Sequence, residues 1–125
     1  MERRRFSWKE RGNSFTYAWS GIKALMRTEH NTWIHLALTI AAIAFGFILK
    51  ISKGEFIAII IVMTMVWVAE ILNTAIEKTM DFISLEKHPQ IKLVKDLAAA
   101  AVLITAISAL LVGAIIFIPK LLEHA

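Results

Sequence analysis

The chain has 125 residues, enough for one domain, and 58% of them are hydrophobic. The absence of cysteine excludes disulfides, thiolate nucleophiles and Cys-ligated metals. A net charge of +4 could suggest nucleic acid, but its distribution argues otherwise: seven of the fourteen Lys/Arg (Arg3, Arg4, Arg5, Lys9, Arg11, Lys23 and Arg27) precede the first apolar run.

Residues 1–12 are charged. From Asn13, a plausible cap, Phe15, Ala18, Trp19, Ile22, Leu25 and Met26 recur at helical spacing, with Tyr17, Ser20, Lys23 and Arg27 on the opposite face. This pattern predicts a basic amphipathic helix over about 13–29, lying in a membrane interface. The alternative is a soluble core helix, for which the chain offers no soluble elements to pack against. Continuing the helical rotation puts Glu29 on the apolar side, where a carboxylate needs a cation or metal partner, unless it marks a frayed helix end. No cleavable leader is expected, because the apolar run begins only near Ile34 and no small-residue cleavage site follows it.

Three stretches, 33–51, 56–69 and 97–119, carry the apolar excess. At 1.5 Å per residue the first and third can cross a roughly 30 Å hydrocarbon core. The second reaches across if the polar stretch behind it continues the same helix. The fold class expected is therefore all-α and integral to the membrane. It has spans at about 33–51, 54–83 and 95–119 plus the interface helix, in a single domain. Ala98, Ala101, Thr105 and Ser108 give the third span a small-residue face for close helix packing, and Pro119 and Lys120 are expected to end it. The first connection offers Lys50 and Lys53; the second offers Lys87, Lys92 and Lys95, with Lys78 just inside the helix; the tail has Lys120 alone. The positive-inside rule then puts the N-terminus and second connection in the cytoplasm and the C-terminus outside. Anionic headgroups are the natural partner of the basic N-terminus.

The second span ends in AEILNTAIEKTMD, residues 69–81. On a helix Asn73, Glu77 and Asp81 lie about 60°, 20° and 20° from Glu70, a narrow face roughly 16 Å long. Glu70 sits about 21 Å along the helix from Phe56, inside the cytoplasmic leaflet, with Glu77 and Asp81 rising through the headgroup layer. Lys95 and Asp96 return to that level. Asn73 could be interhelical glue, and Asp81 and Glu86 solvated ends. Glu70 resists so bland a reading, because desolvation penalises its charge unless a cation sits nearby.

No Walker or dinucleotide-binding glycine motif and no nucleophile elbow is present. His30, His35, His88 and His124 have no zinc-like spacing. What remains is carboxylates suited to Mg²⁺, basic groups for phosphate charge, and a buried carboxylate facing lipid. Such a set could transfer a phosphoryl group to a hydroxyl held at the interface.

The string EILNTAIEKTMD, followed by Glu86, His88 and KDLAAAAVLI, resembles the small prokaryotic diacylglycerol kinases, which include the undecaprenol kinases. The resemblance extends over nearly the whole chain. It implies ATP as co-substrate, Mg²⁺ as cofactor, a membrane lipid alcohol as acceptor, and homotrimers whose sites mix residues of neighbouring subunits. By the same resemblance Glu70 is the catalytic base, supported by Asn73, with Lys95 on phosphate and Asp96 its acidic neighbour. Glu77 and Glu29 are the metal-binding pair. Arg11, Tyr17, Glu29, Glu77, Glu86, His88, Lys95 and Asp96 are the expected ATP and phosphate contacts, and Glu70 and Ala99 the expected lipid contacts. The diacylglycerol-specific pattern has Gly-Ser where this chain has Ala98 and Ala99, Gly at Lys92 and Ser at Ala18. The alanines are more like the undecaprenol-kinase branch. The expectation is thus a lipid kinase with undecaprenol, or else diacylglycerol, as acceptor. The alternatives are a small transporter using Glu70 as an intramembrane cation or proton site, and a structural membrane subunit.

Overall fold

A computed structural model of the chain describes residue 3 and residues 5–124; Arg4, counted above toward topology, lies outside the described residues. It contains four helices, α1 (Trp8–Thr28), α2 (His30–Ile48), α3 (Lys53–Ile83) and α4 (Pro89–Glu123), with no strand among the described residues. Two compact units divide between Trp33 and Ile34.

In the first unit, α1 begins well before Asn13. Ser7 caps it, its hydroxyl accepting the Glu10 N–H at 3.4 Å. Ser7 and Glu10 have the spacing of a capping box, a stronger start signal than Asn13. Phe15, Trp19 and Ile22 are exposed, as are Tyr17, Ser20 and Lys23 on the opposite face. The helix stops at Thr28. Glu29 is extended (φ −116°, ψ 108°) with its N–H returning to the Leu25 carbonyl at 3.0 Å, so the helical rotation used to orient it does not reach it. The Trp33 indole donates to the Met26 carbonyl at 2.9 Å, tying the break together.

In the second unit, α2, α3 and α4 are each long and apolar enough to cross a membrane. Their outward Ile, Leu and Phe side chains stay uncovered, as lipid-facing residues do. The end of α2 is set by a paired carbonyl recapture: Lys50 N–H reaches Phe47 O at 3.3 Å and Ile51 N–H reaches Gly46 O at 3.1 Å. Lys50 takes the left-handed conformation this requires, with φ 54°. Gly46 must be bare here, because a Cβ would lie 2.7 Å from the Phe56 ring and 3.0 Å from Ile51. Ser52 and Glu55 then start α3 with a reciprocal capping box. Around this turn Leu49, Ile51, Ile59 and Ile116 form the buried apolar cluster, with Phe56 and Val112 packed on it.

α3 runs unbroken through the polar stretch, as its span requires. It packs along α4, where Ala98 is buried and Ala101 and Thr105 line the seam. α4 begins at Pro89 rather than near residue 95, because His88 caps it and Pro89 occupies its first position. It also continues through Pro119 to Glu123. A proline that close to the helix end forfeits only one backbone bond.

Lys50 is the one described non-glycine residue with positive φ. Lys50→Gly should therefore stabilise the second unit by about 1 kcal/mol. A raised thermal midpoint of the purified protein in detergent is expected; an unchanged or lower one would contradict this account of the turn.

Candidate active site

Along α3, Glu70 is 6% exposed, Asn73 and Glu77 are half-buried, and Asp81 is exposed. Asn73 donates through Nδ2 to Glu77 Oε1 at 3.4 Å, one helical turn on. Its other amide atom, Oδ1, is buried without a partner. Thr74, about 40° round the helix from Glu70, is also 6% exposed, and its hydroxyl has no partner.

Nearer the α3–α4 connection, Lys95 Nζ meets Asp81 Oδ1 at 2.6 Å, joining the two helices. Asp96 pairs with Lys92 along α4. Lys95, Asp96, Asp81, Glu86 and His88 line one cavity of about 660 Å³. His88 spends Nδ1 on the Gln90 N–H as the cap of α4. A second cavity of about 620 Å³ runs between α3 and α4, apolar except near Asn73, and is lined on α4 by Ala98 and Ala101. Ala99, the expected lipid contact, is exposed and belongs to neither.

The structure thus brings together Asn73 with Glu77, and Glu86, His88, Lys95 and Asp96 around one cavity. The remaining expected contacts lie in the first unit. Arg11 stacks its guanidinium over the Phe6 ring at 5.3 Å, Tyr17 is exposed, and Glu29 sits half-buried at the α1–α2 break. Among the described residues no three His, Asp or Glu side chains converge as a ready metal cage. Mg²⁺ ordinarily takes one or two carboxylates and completes its shell with water and substrate phosphate.

Sequence reasoning missed the partner of Glu70. His35 on α2 places Nε2 3.6 Å from Glu70 Oε2. Beside this pair the Trp67 indole donates to Thr39 Oγ1 at 2.9 Å, and that hydroxyl donates to the His35 carbonyl at 2.7 Å. These contacts tie α2 to α3 at the level of Glu70. The sequence signal was a histidine and a threonine four apart in the apolar stretch of α2 that follows Trp33.

The sequence pattern of the prokaryotic diacylglycerol kinases matches residues 16–117. The chain belongs to that family. Among its relatives, an undecaprenol kinase of Bacillus subtilis (strain 168) is 40% identical over 108 residues, covering 86% of this chain and 88% of the relative. A diacylglycerol kinase of Synechocystis sp. is 34% identical over 111 residues, 88% of this chain and 63% of the relative. A diacylglycerol kinase of Pseudomonas aeruginosa is 37% identical over 89 residues, 71% and 72% of the two chains. With this membership the protein is a lipid kinase of the membrane, with multiple spans. The transporter and structural-subunit alternatives give way.

The α2–α3 tie has a direct test. Thr39→Val keeps the side-chain shape but loses the hydroxyl that accepts the indole N–H, and should lower stability by about 1 kcal/mol, as single hydrogen bonds between membrane helices do. A thermal midpoint equal to that of the unsubstituted protein would show that the Trp67–Thr39 bond holds nothing in place.

Proposed function

We propose that this lipid kinase transfers the γ-phosphoryl group of ATP to the hydroxyl of a membrane lipid, with undecaprenol favoured over diacylglycerol. The observation that carries the reading is the placement of Glu70. It is a buried carboxylate in the apolar length of α3, on the same helical face as Glu77 about 10 Å further along and leading to the charged cavity at Lys95. The acceptor preference rests on Ala98 and Ala99 in the K-D-L-A-A run. It also draws on the higher identity to the undecaprenol kinase than to the two diacylglycerol kinases.

In this mechanism Glu70 orients the acceptor hydroxyl and receives its proton as the oxygen attacks the γ-phosphorus. The bond from that phosphorus to the β–γ bridging oxygen breaks, and ADP leaves. Lys95 offsets charge on the transferred group, positioned by Asp81. Phosphoryl transfer depends mainly on positioning and charge stabilisation, so a weak base suffices. Glu77 and the unpartnered Oδ1 of Asn73 are hard oxygen donors side by side, a fit for Mg²⁺. Glu29, from a neighbouring copy in a homotrimer, is the second carboxylate of that set. Bound there, Mg²⁺ would neutralise charge on the ATP phosphates.

Replacing Glu70 with Gln removes the proton acceptor while keeping shape. Turnover at saturating lipid should fall by about 10² or more, with ATP affinity by equilibrium binding little changed. Retained transfer would remove Glu70 from the reaction. Orientation has its own test, made clean by the absence of native cysteine. A thiol introduced at His88 should react with an impermeant reagent from the cytoplasmic side, and one at Ser52 from outside. The reverse pattern would separate the Lys95 cavity from cytoplasmic ATP.

A further inference from the structure

A carboxylate at hydrocarbon depth is strongly penalised unless protein groups partner it. For Glu70 the group supplied is the His35 imidazole, its Nε2 3.6 Å from Oε2, with both side chains largely buried. That separation is slightly long for a hydrogen bond, as catalytic contacts often are before substrate tightens them. The imidazole is itself fixed. The Trp67 ring lies against it, centroids 6.4 Å apart and tilted by 59°. Trp67 is anchored to α2 through Thr39, whose hydroxyl is in turn bound to the His35 carbonyl. Trp67 and Glu70 are three residues apart on α3, and His35 and Thr39 four apart on α2, so each pair shares a helix face. His35 also borders an apolar cavity of about 710 Å³ lined by Leu38, Ala42, Val66 and Phe117. Those apolar walls provide no polar group to take the place of Nε2.

We propose that His35 is a positioning residue for the transfer reaction. Its Nε2 engages Oε2 of Glu70, fixes the carboxylate rotamer, and leaves Oε1 directed to the acceptor hydroxyl. This rests on the reading of Glu70 as the base. His35 does not touch ATP or the reacting atoms, so its effect is on turnover and not on nucleotide binding.

The test uses the full chain in micelles with labelled ATP and undecaprenol. It compares the unsubstituted protein with His35→Gln, His35→Asn, Glu70→Gln and the double variant Glu70→Gln/His35→Asn. A glutamine amide nitrogen reaches the position of Nε2, whereas an asparagine amide stops at the position of Nδ1. His35→Gln should keep turnover within about threefold, and His35→Asn should lose about tenfold or more, the scale of effect that a misplaced group produces. KM for ATP should not move, and His35→Asn should cost nothing further once Glu70 is already Gln. Normal turnover in His35→Asn beside a defective Glu70→Gln would overturn the role of His35 alone. Equal losses in Gln and Asn, or an equal loss by Asn in both Glu70 backgrounds, would also overturn it. An active Glu70→Gln would remove the base and this inference with it. A measurement on native His35 is independent of how its variants fold. In protein labelled with ¹⁵N-histidine, the His35 Nε2 resonance should shift on Glu70→Gln, and an unmoved resonance would contradict the contact.

Discussion

Lipid offers neither water nor counter-ion, so an acidic side chain carried into the hydrocarbon layer has to be held by the protein itself. Glu70 imposes that condition here, and much of the second unit can be understood as meeting it. α3 must be long enough to keep its polar stripe in one helix with its apolar stretch, and it runs from Lys53 to Ile83 without a break. α2 must stand beside it with a polar residue at the matching level, which is where His35 and Thr39 lie.

The register between α2 and α3 is set at their far end. The left-handed Lys50, the bare Gly46 under Phe56, and the Ser52–Glu55 capping box fix how the chain reverses. The cluster of Leu49, Ile51, Ile59 and Ile116 then clamps the turn against α4. Small residues on α4 let it approach α3 closely, so that Lys95 reaches Asp81. The same helix pair therefore holds an apolar seam along its length and a charged cavity at its end. A kinase acting on a lipid needs both, because its two substrates arrive from different solvents.

Much of this was legible in the sequence because it is local. Rotation along one helix is enough to align Glu70, Asn73, Glu77 and Asp81, and run length is enough to mark three spans. The helix ends were misjudged where two signals competed. Ser7 with Glu10 outweighs Asn13 as a cap, and the His88–Pro89 start carries α4 well ahead of its apolar run. The face assigned to Glu29 failed because a helical rotation was continued past a break that no glycine or proline announces. The His35–Glu70 contact was out of reach for a different reason. It joins residues on separate helices, and their relative height depends on the geometry of the intervening turn, which periodicity does not encode.

In the proposed mechanism the acidic stripe of α3 is where ATP meets a lipid hydroxyl. The most direct test offers γ-labelled ATP to the purified protein in mixed micelles containing undecaprenol or diacylglycerol, with and without Mg²⁺. Label should be extracted with the lipid as a phosphate ester, dependent on Mg²⁺ and greater with undecaprenol. ATP left intact with both lipids, or label appearing only as inorganic phosphate, would contradict that mechanism.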